Sequence, residues 1–218
     1  MDIHPAFAVP FGQTVYPDPD RLNSALREVI LGMERSGDEF RNPNPLVQQP
    51  PGLYESKFEF FARSEACIQT LRTFCWKTLA DLIRAVSAPV EDEPPPWQIM
   101  SQTWFHVTRT GGHFGYHNHP MASWSGVYCV ADGQPDAGVP NNGALVFPHP
   151  LAAANSFLDP ATANLQWPFS RGNLSMNLSP GHLVLFPSWL GHYVTPFVGE
   201  AERITVAFNA WFVLQPSS

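Results

Sequence analysis

The sequence predicts a mainly β domain, a sandwich or barrel with two helices packed against one outer face. Three observations lead there. Apolar residues at helical spacing are confined to the first 96 residues. From Trp97 onward, short β-rich runs alternate with Gly, Pro and Asn turns. Only 14% of residues are charged, while 23 Pro and 15 Gly are spread along the chain, a composition of many turns and loops rather than of low complexity. With 218 residues, 44% of them hydrophobic, the chain suits one domain. Residues 1–96 would be a mostly helical support and residues 97–213 the β core.

The first helix is expected to start at Asp18-Pro19, with Asp18 as cap and the proline in the first turn. Leu22, Leu26, Val29 and Met33 form its apolar stripe, and Gly37 ends it. Pro43, Pro45, Pro50 and Pro51 make residues 41–52 a loop. Ser64 is a candidate cap for a second helix carrying Ile68, Leu71, Cys75, Leu79, Leu82 and Val86. Pro89 would close that helix, and residues 91–96 form a stiff connector. Strands are expected at 97–108, 123–130, 144–147, 174–178, 182–186, 193–195 and 203–212. The loops 132–142 and 148–172 have lengths that often carry function.

The formal net charge is −7 and no basic stripe occurs, which argues against a nucleic-acid partner. Cys67, Cys75 and Cys129 are odd in number and irregular in spacing, as free thiols are, and fit neither a disulfide framework nor a zinc knuckle. Residues 1–10 carry no basic segment followed by an apolar run, and no stretch is long enough to span a bilayer. The expected setting is soluble and cytoplasmic, with no membrane partner and with a homodimer left open.

His117-Asn118-His119 is the first chemical signal. In extended chain, residues i and i+2 share a face, so two imidazoles can converge on one ion. The same spacing also suits a surface pair or core histidines with satisfied hydrogen bonds. His192 lies at a junction between two expected strands, where it could face the pair across a barrel mouth. Three ligands on one side of an ion leave open positions for a chelating co-substrate and O₂, as non-haem iron oxygenases require. His113 is a weaker alternative ligand; His4, His106, His149 and His182 read as structural or surface residues.

Arg203 is the second signal. Residues 196–200 read as a hairpin loop, and a hairpin centred between Phe197 and Val198 would set His192 and Arg203 opposite each other. Thr205 would follow on the same face. A planar guanidinium pairs bidentately with a carboxylate and stays charged when desolvated. The competing reading of Arg203 is a rim salt bridge to Glu200 or Glu202.

The order of these pieces resembles the iron(II)/2-oxoglutarate-dependent dioxygenase superfamily. The carrying stretches are Tyr116-His117-Asn118-His119-Pro120, Ser125-Gly126-Val127-Tyr128, Asn142-Gly143-Ala144-Leu145-Val146-Phe147, the run from Pro180 to His192, and Arg203-Ile204-Thr205-Val206-Ala207-Phe208-Asn209. The nearest likeness is to a branch of bacterial and phage oxygenases with a His-x-His first motif. The superfamily usually has His-x-Asp or His-x-Glu at that position; this chain has His119 there and no such acidic pair elsewhere.

The resemblance implies a double-stranded β-helix, a jelly roll of cupin-like form. It implies Fe(II) held by His117, His119 and His192, and 2-oxoglutarate as co-substrate with its far carboxylate on Arg203 and Thr205. Tyr128 is a candidate donor to that same carboxylate, and Asn118 and Ser188 are candidate supports. The implied reaction oxidises an unidentified small-molecule or peptidyl substrate, most simply by hydroxylation, with succinate and CO₂ as co-products. No catalytic residue beyond the metal ligands can be named. Two other readings stay open on the residues alone: a three-histidine cupin-type metal enzyme without a keto-acid co-substrate, and a non-catalytic ligand-binding β-sandwich.

Overall fold

The computed structural model describes residues 1–45, 50–88, 97–151, 157 and 159–214. Two α-helices, α1 (Pro19–Arg35) and α2 (Ala66–Val86), accompany ten strands among these residues. The strands are β1 (Gly12–Val15), β2 (Leu53–Glu55), β3 (Trp97–Thr108), β4 (Phe114–His117), β5 (Trp124–Asp132), β6 (Leu145–Phe147), β7 (Leu174–Met176), β8 (His182–Pro187), β9 (His192–Val194) and β10 (Arg203–Leu214). They form a six-stranded sheet of order β1-β8-β5-β10-β3-β2 and a four-stranded sheet of order β4-β9-β6-β7. All strand pairings are antiparallel. This is a jelly roll.

The helices start where their prolines and apolar stripes place them, but not through the expected caps. Asp18 takes a left-handed conformation (φ 52°) without a capping side-chain hydrogen bond, and α2 is preceded by Glu65 rather than by Ser64. Leu22, Leu26, Ile30 and Met33 of α1 and Ile68, Leu71, Cys75 and Leu79 of α2 are buried. They join Phe105 and Val107 of β3, Tyr128 and Val130 of β5, and Ile204, Val206, Phe208 and Ala210 of β10 in one large core. Both helices therefore cover the outer face of the six-stranded sheet. A smaller core, with Cys129, Leu145, Phe147, Val184, Phe186 and Leu190, fills part of the space between the sheets.

Two corrections to the sequence reading concern topology. The first 96 residues supply more than helices: β1 and β2 lie at the two edges of the six-stranded sheet. Each has only three or four residues, too few for an alternation to register. The expected hairpin between His192 and Arg203 does not form. β9 pairs with β4 and β6 in the small sheet, while β10 pairs with β3 and β5 in the large one. After β9 the chain changes sheet. Pro196 cannot donate to a ladder, and the backbone of Phe197 bonds instead to Gly111 and Gly112. Pro89 and the connector 91–96 lie outside the described residues. Among those described, no helix is long and apolar enough to cross a membrane.

Candidate metal centre

His117 and His192 are direct partners in the β4–β9 register. Opposite residues on an antiparallel pair bring their Cβ atoms within about 5 Å, and here the ring centroids are 4.4 Å apart. His119 lies just beyond β4. Its backbone N–H donates to the Ser188 carbonyl at 2.8 Å, tying it to the turn before β9. Its ring sits 5.0 Å from that of His117 and 5.3 Å from that of His192. One ligand nitrogen from each of the three lies within 4.8 Å of the other two.

The protonation pattern suits a cation. Nδ1 of His117 faces the Gly115 carbonyl at 2.7 Å, and Nδ1 of His192 faces the Leu190 carbonyl at 2.9 Å. A carbonyl only accepts, so each Nδ1 carries the hydrogen and each Nε2 presents a lone pair. Burial lowers all three imidazoles from their ordinary value, His119 to about 3 and His192 to about 4. The mutual proximity of the rings adds to this effect, because like charges repel. Three neutral imidazoles converging from fixed orientations are a fitting donor set for a first-row divalent ion.

The three rings open on a cavity of about 200 Å³ between the sheets. That exceeds by far the ~10–15 Å³ needed for one water. Arg203 and Thr205 line the same cavity, both buried. The guanidinium makes no hydrogen bond and no ion pair with any described residue. Of the two carboxylates that compete for it in the sequence, Glu200 is exposed, and Glu202 bonds instead to Arg27 at 2.7 Å and lies 3.6 Å from Arg109. A buried, partnerless guanidinium is costly, and its exit is toward the cavity. Gly143 beside Arg203 takes the left-handed region at φ 61°, and a Cβ there would press on Phe197 Cδ2 at 3.0 Å.

Tyr128 is a correction. Its hydroxyl donates to Asn23 Oδ1 of α1 at 2.7 Å, and the side chain is fully buried in the helix-facing core. Tyr128 pairs with Val206, and side chains of paired residues share a face. On β10 the residues 203, 205, 207 and 209 line the cavity, while 204, 206, 208 and 210 belong to the helix-facing core. Tyr128 thus stands on the far side of the sheet from the position expected for it. His113 lines the cavity but is not one of the three converging rings.

Several site residues escaped sequence reading. His106, which reads in the sequence as a structural or surface residue, lines the cavity as the β3 partner of Thr205. Its Nε2 lies 3.0 Å from Oε2 of Glu55 on β2, whose Oε1 accepts from Asn42 Nδ2 at 2.6 Å. Burial raises the Glu55 carboxyl, but the bonds to His106 and Asn42 outweigh it and the net shift is downward. Trp104 Nε1 also approaches His106 Nε2, at 3.2 Å. An indole N–H only donates and an ionised carboxylate only accepts. The ring atom satisfies one of them at a time, and with Glu55 ionised it carries the hydrogen. Elsewhere Ser125 Oγ donates to Asn209 Oδ1 at 2.7 Å and, its single hydrogen spent, accepts from Ser188 Oγ at 2.8 Å. Asn118 Nδ2 donates to the Trp189 carbonyl at 3.3 Å. Asn118 and Ser188 therefore brace the turns that carry the histidines. Only alternation along β3 could have signalled His106; nothing local marks Glu55.

Residues 102–209 match a family model described as "Putative 2OG-Fe(II) oxygenase". No curated protein matches the chain. Among solved structures, a Pseudomonas putida prolyl-4-hydroxylase aligns at TM-score 0.59 and 18% identity, covering 95% of this chain and 94% of that one. A Trichoplax adhaerens prolyl hydroxylase, in complex with a hypoxia inducible factor peptide, aligns at TM-score 0.57 and 12% identity, covering 93% and 83%. HygX from Streptomyces hygroscopicus, with nickel, 2-oxoglutarate and hygromycin B bound, aligns at TM-score 0.54 and 12% identity, covering 93% and 82%. At such identities the structural likeness speaks for the fold.

Proposed function

The chain belongs to the iron(II)- and 2-oxoglutarate-dependent oxygenases, and from that premise we propose that it hydroxylates its substrate, with His117, His119 and His192 holding the iron and Arg203 and Thr205 holding the far carboxylate of 2-oxoglutarate. One observation carries this reading. Three converging imidazoles and a buried guanidinium without a partner among the described residues open on the same cavity. A dicarboxylate with a keto group at one end matches both needs: chelation at the histidines and a bidentate ion pair at the arginine.

When bound, the iron supplies the oxidative chemistry, in which decarboxylation of 2-oxoglutarate to succinate and CO₂ drives oxidation of the substrate. The chain's own residues position and exclude. The carbonyls of Gly115 and Leu190 fix the tautomers of His117 and His192. Thr205 sets a hydroxyl beside the guanidinium, two residues along the same face of β10. Phe114, Phe186, Val194 and Leu145 line the cavity and keep it largely dry. Tyr116, Met121 and Trp189 flank the histidines in sequence and remain exposed. Large exposed apolar groups beside a site support a substrate that extends beyond the cavity, in keeping with the peptide and hygromycin B named for two of the similar structures.

The test is anaerobic addition of Fe(II) and then 2-oxoglutarate to the purified chain. A weak visible charge-transfer band is expected, and Arg203→Ala should remove it. Iron-loaded protein that never develops the band would sink the proposal.

A further inference from the structure

We propose that Glu55, held by His106 and Asn42, is the counter-charge of the three-histidine centre, supplying from the cavity wall the negative charge that an acidic residue at position 119 would have placed beside the ion. This inference rests on the function proposed above. Its starting point is a charge balance. A ferrous ion and Arg203 bring three positive charges to the cavity, and the 2-oxoglutarate dianion cancels two. With a carboxylate ligand the remainder would vanish. With His119 it stays, in a site walled by Phe58, Trp104, Phe114 and Phe186, where low polarity strengthens every uncompensated charge.

Glu55 is the one acidic residue among the described residues that line this cavity. Its side chain is only 6% exposed. A buried carboxylate on an apolar wall persists where hydrogen bonds and nearby positive charge favour the ionised form. The hydrogen bonds are in place, 3.0 Å to His106 Nε2 and 2.6 Å from Asn42 Nδ2. The position is also right. His106 is the cross-strand neighbour of Thr205, and its ring, tilted by 48°, lies 4.8 Å from that of Phe114, which in turn lies 5.1 Å from that of His117. Glu55 thus stands on the same wall as the proposed 2-oxoglutarate subsite and within electrostatic reach of the histidines.

A counter-charge has a signature that a structural role lacks: it helps the cation and opposes the anion. Glu55→Gln keeps the shape and a hydrogen-bonding amide. Titration calorimetry with Ni(II), and then with 2-oxoglutarate on the Ni(II)-loaded chain, reads the two affinities separately. Ni(II) binding should weaken by about tenfold, within the range for residues just outside a ligand set. Binding of 2-oxoglutarate should tighten by about threefold, as a nearby like charge is lost. Should Glu55→Gln fail to fold, Gln102→Lys leaves the Glu55 hydrogen bonds intact and cancels its charge from the same cavity. It must move both affinities in the same two directions. Changes of equal sign, or none, in a folded variant overturn the counter-charge. A wild-type chain that binds no Ni(II) overturns instead the function on which it rests.

Discussion

The two faces of the six-stranded sheet are built from the same strands and do opposite work. On the outer face, Phe105 and Val107, Tyr128 and Val130, and Ile204, Val206, Phe208 and Ala210 meet the helices in an apolar core. A buried polar contact there, Tyr128 to Asn23, is made within it. On the inner face, Trp104, His106, Arg203, Thr205 and Asn209 alternate with those residues and line the cavity. There a guanidinium has no partner among the described residues, and a ring nitrogen is asked for two bonds when it can make one. Alternation at period 2 lets one strand spend half its residues on stability and half on chemistry. The outer face is closed by apolar packing, with Asn23 Nδ2 its one buried side-chain polar atom lacking a partner among the described residues, whereas the inner face is open to a ligand.

That contrast can be broken most sharply at Arg203. In Arg203→Ala, affinity for 2-oxoglutarate should fall by roughly 100-fold or more, because the dianion loses a buried charged partner. Thermal stability of the ligand-free chain should hold or rise, since a buried unpaired charge is removed. Succinate release and a melting curve on the same preparation check both. A variant that melts much earlier would move Arg203 to the structural side. Next in size is Leu26→Ala on the outer face, which should cost about 2–5 kcal/mol of stability. Its Ni(II) affinity, measured well below the melting transition, should stay at the wild-type value.

Acid should discriminate the faces as well. His119 and His192 have ordinary values of 6.5, lowered by burial to about 3 and about 4. The unfolded chain therefore takes up protons below about pH 6.5 that the folded chain refuses. Stability is full above that pH and is lost as pH falls toward about 4. Melting of the metal-free protein in a pH series should show this decline, and His192→Leu should make it shallower. The smallest effect belongs to Tyr128→Phe. Loss of its bond to Asn23 should cost about 1 kcal/mol, and the KM for 2-oxoglutarate should not move. A raised KM would restore the hydroxyl to the cavity side and contradict the register of β5.

Much of this architecture could be read from order and period. The apolar stripes of both helices, the long strands β3, β5 and β10, and the succession of His-x-His, distal histidine and arginine all follow from local pattern. So did the chemical argument for Arg203, since a cation inside an apolar run invites a buried anion. The hairpin between His192 and Arg203 was wrong for a reason that pattern cannot supply. Spacing along the chain does not say which sheet a strand will join, and β9 and β10 join different ones. Tyr128 failed for a related reason. Its face depends on the register against Val206, and the pairing slips by one residue between Ile204 and Thr205, leaving Val130 unmatched.

The sequence by itself determined the family, the fold class and the chemical identity of the candidate ligands, because these rest on residue types in a fixed order. Only the tertiary structure decided which side of each strand meets the cavity. It also decided that Glu55, distant in sequence and carried by a three-residue edge strand, stands beside His106. Side-chain chemistry is a property of one residue, but a charge balance is a property of everything brought around the same space.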